Sequence, residues 1–309
     1  MTTPDVSVVC PLFNEEESVG PLIDAVSRAL ADVIGWELVL VDDGSSDRTV
    51  AVVKSHTADP RVRLVRLARN YGQSTATQAG FDASRGRMVV TMDGDLQNDP
   101  RDIPNLVSKL GEGFDLVVGY RETRRDRLIT RKLPSRVANV LIRWLTGVPI
   151  IDNGCSLKAY HRETLVGMRL YSDMHRFIPA LAVGATGAQI AQIPVRHHGR
   201  RFGTSKYGLS RVWKVLADLM TVTMLRWFGQ RPLLLFAYGG IAAFAVATVF
   251  FAAQLAALAR GPGGVVYSGA AVLFMGLALY FFMVGLIAQV ATHEWALHAS
   301  ATAGPRGRR

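Results

Sequence analysis

Asp93 and Asp95 stand one glycine apart in MDGDLQNDP (92–100), directly after an apolar run. Paired carboxylates so placed suit a hard divalent cation bridging a diphosphate, because Mg²⁺ prefers oxygen ligands and shares its shell with substrate phosphates. Three other polar clusters interrupt the first third of the chain: CPLFNEEES (10–18), VDDGSSDRT (41–49) and RNYGQSTATQAG (69–80). Taken singly, each has a plain structural use. Asn14 and Glu15 can cap a helix, Asp42 and Asp43 can form a turn, and a DxD is common in loops. Four such clusters in order, each after an apolar run, point to one site. The basic residues are grouped as well. Arg121, Arg124, Arg125, Arg127, Arg131, Lys132, Arg136 and Arg143 form one cluster; Arg196, Arg200, Arg201, Lys206, Arg211 and Lys214 form a second with no carboxylate among them. Guanidinium forks match phosphate oxygens, although a solvated face beside anionic lipid has the same pattern.

These residues need elements to position them. Short β-branched runs at Val6–Cys10, Glu37–Val41, Val62–Leu67, Met88–Met92 and Leu116–Val118 alternate with helix-length stretches such as Glu16–Val33 and Gln73–Ala83. That rhythm implies a largely parallel sheet with helices on both faces, and ligands then bind beyond the carboxyl ends of the strands. The polar clusters fall at those ends: strand one is expected to break at Pro11, with Asn14–Glu15 opening a helix. Further along, 127–147 reads as an amphipathic helix despite Pro134, while CSLKAY (155–160) and QIAQIPVRHH (189–198) read as strands.

The C-terminal third differs. Pro232–Ala259 and Gly261–Thr292 carry no charged residue, and each exceeds the roughly 20 apolar residues that a membrane-crossing helix needs. Just before them, Leu209–Phe228 has apolar residues at helical spacing, with Arg211, Lys214, Asp218 and Arg226 on its other side and Trp213 and Trp227 included, as in a helix lying in the membrane interface. RGPGG (260–264) makes a turn between the two spans. The turn holds only Arg260, whereas Arg226, Arg231, Arg306, Arg308 and Arg309 lie beyond the other ends, so both termini and the N-terminal domain are expected in the cytoplasm.

Overall, 35 basic residues against 25 acidic give a net charge of +10. The second basic cluster leads straight into the apolar spans, which favours lipid phosphate, and no zinc-finger spacing or RNA-binding aromatic signature supports nucleic acid. Cys10 and Cys155 read as reduced structural thiols in a cytosolic compartment. The N-terminus MTTPDVSVV lacks the basic and apolar regions of a signal peptide.

The four ordered clusters resemble family 2 glycosyltransferases of the GT-A fold. GCSLKAYHRE (154–163) and IPVRHHGRRFGTSKYG (193–208) narrow the resemblance to polyisoprenyl-phosphate glycosyltransferases, such as bactoprenol glucosyltransferases, dolichol-phosphate mannose synthases and undecaprenyl-phosphate formamido-arabinose transferases, over about residues 5–230. It implies an α/β fold: a Rossmann-like, mostly parallel GT-A catalytic domain (1–208), an interfacial amphipathic helix (209–230), a two-helix transmembrane hairpin within 231–298 (spans about 232–259 and 265–292), and a basic tail (299–309). The implied reaction is inverting transfer of a sugar from a nucleotide diphosphate, UDP-hexose or alternatively GDP-mannose, to a polyisoprenyl phosphate at a bacterial inner membrane. Carried over by motif, Pro11, Phe13, Asn14, Glu15, Val41, Asp42, Asp43, Asp93 and Gly94 hold the nucleotide. Phe13 stands where relatives commonly have tyrosine. Asp93, Asp95 and Gln97 hold Mg²⁺ or Mn²⁺. Arg121, Arg131, Ser135, Arg200, Ser205 and Lys206 grip the acceptor phosphate. Asp152 is either a base or the orienter of an arginine, and His197 and His198 are structural or interfacial. The oligomeric state is left open. A processive polysaccharide synthase carries QxxRW, which TMLRW (223–227) and VLIRW (140–144) lack, and a non-enzymatic membrane partner does not need the intact acidic motifs.

Overall fold

The computed structural model describes residues 3–33, 35–121, 147–170, 174–199, 231–259 and 265–302. The helix expected over 127–147 (Gly147 apart), the interfacial helix, the RGPGG turn, and Arg131, Ser135, Arg200, Ser205 and Lys206 lie outside these residues. The chain forms two units, Met1–Thr223 and Met224–Arg309.

In the first unit the elements run β1 (Val6–Leu12), α1 (Val19–Ala29), β2 (Trp36–Asp42), α2 (Thr49–His56), β3 (Val62–Arg66), α3 (Gln73–Ala83), β4 (Met88–Thr91), α4 (Ile103–Leu110), β5 (Leu116–Arg121), β6 (Lys158–His161), α5 (Arg162–Leu165), α6 (Ile178–Thr186) and β7 (Ile190–Val195). The strands form one sheet in the order β3-β2-β1-β4-β6-β5-β7. Only β6 is antiparallel to its neighbours β4 and β5; the other described pairings are parallel. Strand alternation sends Val8, Cys10, Leu38 and Leu40 into one core and Val9, Val39 and Val41 into the other. Helix α1 closes the first core with Val19, Leu22, Ile23 and Val26, a 3.6-residue stripe, joined by Ile103, Leu106 and Leu110 of α4. Helix α3 closes the second with Ala76 and Phe81. Each fully buried leucine or valine contributes about 1.5–3 kcal/mol relative to exposure, which is why β-strands covered on both faces read as unbroken apolar runs.

The strands expected over 155–160 and 189–198 are shorter, Lys158–His161 and Ile190–Val195, and two boundaries near the site also differ from expectation. Strand β1 does not break at Pro11 but pairs with β2 as far as Leu12↔Asp42. The Val9 carbonyl accepts from Met92 on the β4 side, so two residues on, the Pro11 nitrogen also faces that side, where β4 has already ended and no ladder bond is lost. Helix α1 begins at Val19, not at Asn14–Glu15, because those two residues brace a neighbouring loop. The chain leaves β1 toward β2 and β3 on one side and returns as β4 on the other. The loops after β1 and β4 therefore diverge at a topological switch point, the usual ligand crevice of an open α/β sheet.

The second unit is a pair of helices, α7 (Pro232–Leu258) and α8 (Val265–Thr302). Helix α8 extends past the end expected near 292, into the Ala-containing stretch WALHASAT, whose residues propagate a helix after the apolar run stops. The two helices approach closely at glycines: a Cβ on Gly285 would lie 2.9 Å from Phe236 Cβ. Ala243, Ala247, Ala271 and Ala278 are buried, whereas Ile241, Phe244, Val249, Leu273 and Ile287 point outward and are exposed. Apolar side chains outside and small ones inside are what hydrocarbon surroundings select. Both helices are long and apolar enough to cross a membrane.

Candidate active site

At the carboxyl edge of the sheet, the β1 and β2 loops are stitched together. Asn14 adopts φ 53°, and its N–H donates to Ser45 Oγ at 2.9 Å while its Oδ1 accepts from the Ser46 N–H at 2.8 Å. The Glu15 N–H donates to Thr49 Oγ1 at 2.8 Å. Asp42 Oδ1 accepts from the Ser45 N–H at 3.2 Å, but its Oδ2 is buried with no hydrogen-bond partner. A buried lone oxygen is costly unless a ligand donor completes it. Val41 is fully buried in the core below, so any ligand contact there is through its backbone. Pro11, Phe13 and Glu15 are half-buried along the same edge.

Asp43 acts at one remove. Its carboxylate accepts the N–H groups of Tyr71 and Gly72 at 2.8 and 2.9 Å, fixing the loop that opens α3. Burial, opposed by these two bonds, raises its pKa, and the neighbouring Asp42 charge adds to the rise. The loop lies so close that a Cβ on Gly44, at φ 72°, would stand 2.5 Å from the Arg69 carbonyl carbon. Only glycine fits that approach. The first residue of α3, Gln73, then donates from Nε2 to Asp93 Oδ1 at 2.7 Å. The second cluster thus places the third, and the third holds the fourth.

Asp93 and Asp95 sit at the end of β4, on either side of Gly94, where a Cβ would come 2.5 Å from buried Leu12 Cδ2. Leu96 follows at φ 57°, so the two non-glycine residues with positive φ among the described residues, Asn14 and Leu96, both lie in this rim. Such conformations are strained and concentrate at functional sites. Burial, and secondly the Asp95 charge, push the Asp93 carboxyl above its usual range, against Ser156 and the cations Lys158 and Arg176. Asp95 is itself buried and accepts the Gln97 N–H at 3.1 Å. Two close carboxylates, one of them disfavoured in its charged form, fit a divalent cation. Among the described residues no group of three or more His, Cys, Asp or Glu could hold one, so the remaining ligands would come from a substrate, as Mg²⁺ sites commonly arrange.

Across the sheet, Arg121 at the end of β5 grips Asp152, with Nε to Oδ2 at 2.6 Å and Nη2 to Oδ1 at 3.0 Å. A Cβ on Gly154 would lie 3.1 Å from Arg121 Nη2, so glycine leaves room for the pair. The Asp152 carboxylate thereby fixes the plane of the Arg121 guanidinium. Of the expected acceptor set, Arg121 alone lies among the described residues.

Sequence reasoning missed Gln73, Ser156, Lys158, Arg176, Asp99 and Asp102. Gln73 was legible in principle as the first helical residue after Gly72. The others carry no local signal: Arg176 lies on a turn tied to α3 by His175, whose N–H donates to Ser74 Oγ at 3.1 Å across the fold.

With this geometry in place, the chain can be set beside known proteins. A family profile described as Glycosyl transferase family 2 matches residues 7–167. The chain is 47% identical over 233 residues to a dodecaprenyl-phosphate galacturonate synthase of Rhizobium johnstonii, an alignment covering 74% of this chain and 69% of that one. It is 38% identical over 293 residues to an undecaprenyl-phosphate 4-deoxy-4-formamido-L-arabinose transferase of Shewanella sediminis, covering 92% and 86%. Among solved structures, glucosyl-3-phosphoglycerate synthase from Mycobacterium tuberculosis, in complex with Mn²⁺, uridine diphosphate and phosphoglyceric acid, aligns with a TM-score of 0.57 at 23% identity, covering 72% of this chain and 78% of that one. At that identity the likeness is one of fold.

Proposed function

The chain belongs to glycosyltransferase family 2 as one of its polyprenyl-phosphate sugar transferases, and on that premise we propose that its donor is a UDP-linked hexose such as UDP-glucose, with GDP-mannose the alternative. The observation that carries the donor side is the pair Asp93–Asp95, set together at the switch point of the sheet, with Asp95 buried, Asp93 half-buried and the Asp93 carboxyl pushed above the normal range. A divalent cation, Mg²⁺ or Mn²⁺, held by Asp93 and Asp95 with Gln97 beside them, would neutralise the diphosphate leaving group.

The chain's own residues do the rest. Asp42 Oδ2 offers a buried acceptor to a donor group of the nucleoside, and the Asn14–Ser46 stitch keeps that wall of the site rigid. Pro11, Phe13, Glu15 and Gly94 line the same rim, Val41 offers only its backbone below it, and Asp43 keeps the Tyr71–Gly72 loop in place. In the transfer, the bond from the anomeric carbon to the diphosphate oxygen breaks as a bond to the acceptor phosphate oxygen forms on the opposite face, which inverts the configuration. The acceptor is a monoester with a second pKa of about 6, so near neutral pH it is already mostly dianionic and needs no strong base. Its difficulty is electrostatic, since it must approach an anionic donor. Arg121, its plane set by Asp152, supports the reading that guanidinium groups hold the nucleophile in line, with Arg131, Ser135, Arg200, Ser205 and Lys206 assigned to the same grip by their motifs.

The two apolar helices support a reaction at a membrane. The charge balance, with Arg260 alone in the turn and Arg226, Arg231, Arg306, Arg308 and Arg309 beyond the opposite ends, supports a cytoplasmic face for the catalytic unit at the inner membrane. The test is a panel of nucleotide sugars offered to the membrane-inserted protein with undecaprenyl phosphate. It includes donors of galacturonate and 4-deoxy-4-formamido-L-arabinose, the sugars named for the relatives. We expect metal-dependent, lipid-linked product from UDP-hexose. Transfer only to water-soluble acceptors would overturn the reading.

A further inference from the structure

Just beyond the paired carboxylates, the chain makes long-range contacts that the transfer chemistry leaves unused. Asn98 forms an isolated antiparallel bridge with His197, and the His198 N–H donates to the Gln97 carbonyl at 2.8 Å. Arg196 donates to Asp102 from its backbone N–H at 2.7 Å, from Nε at 2.9 Å and from Nη2 at 2.7 Å. His198 Nε2 lies 3.0 Å from Asp99 Oδ2, and Arg101 meets the same carboxylate from Nε at 3.0 Å and Nη2 at 2.5 Å. Asn98 Nδ2 reaches Ser156 Oγ at 2.7 Å, and Ser156 also bonds Asp93. Asp99 and Asp102 are both buried, while the side chains of Arg101, Arg196 and His198 that reach them stay partly exposed.

The two segments joined here belong to opposite halves of the reaction. Gln97–Asp102 continues directly from Asp95, and the Gln97 peptide bonds both ways: its N–H to Asp95 Oδ1 at 3.1 Å and its carbonyl to His198. Arg196–His198 runs on into GRRFGTSK, where Arg200 comes two residues after His198 in the sequence. We propose that Asp99 and Asp102 are positioning residues that fasten the acceptor-binding segment to the donor loop, so that nucleotide and lipid phosphate bind with linked affinities. The proposal rests on the donor and acceptor assignments made above. Neither carboxylate touches reacting atoms. A shift of Asp95 on diphosphate binding passes through one residue, Gln97, to His198, while Asp102 keeps Arg196 from moving independently. Linkage of this kind is reciprocal: each substrate changes the other's affinity by the same factor.

The test uses the full-length, membrane-inserted protein with Asp102→Asn and Arg196→Gln, singly and together, and Asp102→Glu as the conservative variant. The KM for undecaprenyl phosphate at saturating nucleotide sugar and the KM for nucleotide sugar at saturating lipid are each expected to rise about tenfold in each single variant, about 1.4 kcal/mol, while the affinity for UDP alone stays within about twofold. The double variant should add little to either single one, and Asp102→Glu should recover most of the loss. In parallel, UDP with Mn²⁺ should slow hydrogen exchange at the Arg196 and His198 amides of the wild type, and Asp102→Asn should remove that slowing. A uniform fall in kcat with both KM values unchanged, or wild-type amides indifferent to UDP and Mn²⁺, would overturn the proposal. If the wild type makes no lipid-linked product from any donor, the functional reading falls instead. The exchange measurement, which needs no acceptor, then still decides whether the two segments are fastened.

Discussion

Between Asp93 and Asp102 the chain carries two pairs of carboxylates in opposite electrostatic surroundings. Asp93 and Asp95 lie close together, Asp95 buried and Asp93 half-buried, and desolvation with the Asp95 charge pushes Asp93 above the ordinary carboxylate range even though Lys158 and Arg176 are near. Asp99, buried like Asp95, is held far below that range, first by Arg101 and then by His198. Asp102 accepts three donations from Arg196. The second pair is electrostatically complete within the fold. On the proposed reading, the first would also take a cation from outside, as expected of a site that trades stability for function.

Three measurements can break or sharpen that contrast. The largest effect is expected from Asp95→Asn, which should lower transfer on the order of 10³-fold by removing a ligand of the charge-neutralising cation. The same change relieves Asp93 of a like charge, so the melting temperature should rise by about 2–4 °C. A melting temperature that falls along with activity would show that the first pair is as structural as the second.

Next comes Asp152→Asn, which leaves Arg121 without its carboxylate partner. The KM for undecaprenyl phosphate should rise about tenfold, the scale of one hydrogen bond to a charged group, while the shape of the kcat–pH profile stays unchanged. Disappearance of an acidic limb from that profile would identify Asp152 as the base.

The smallest effect is on acid stability. Asp99 has a folded pKa below its unfolded value of about 4, so its contribution is fully present above that value and is lost as pH falls through the folded one. Asp93 has the opposite sign: its folded pKa is raised, so ionising it costs stability, and acidification through that folded pKa relieves the cost. Stability should therefore hold or rise slightly on mild acidification and fall below about pH 4. Asp99→Asn should flatten the lower limb by only a degree or two, because Arg101 is largely exposed and solvent screens the pair. An unchanged lower limb in Asp99→Asn would remove Asp99 from the second pair.

The paired aspartates were legible because an apolar run followed by DGD is local information, and a parallel sheet brings strand ends together wherever the crossovers lead. Helix α3 was legible end to end, Gln73 to Ala83. Pro11 misled because its effect depends on which side of β1 still has a neighbour, and that is set by the length of β4. Asn14 and Glu15 misled because they hydrogen-bond to the β2 loop rather than to the helix ahead. The roles of Asp99 and Asp102 were illegible: their partners Arg196 and His198 lie more than ninety residues away in the sequence.

By itself, then, the amino-acid sequence determined the alternating α/β unit, the apolar pair of helices, the four polar strand ends and the chemistry they suit, because periodicity, turn residues and paired carboxylates act over short stretches of chain. Only the tertiary structure decided which carboxylates are clasped by arginines and which are crowded by a like charge. That distinction depends on cations and backbone donors delivered by distant segments, and charge pairing between them is set by position in space.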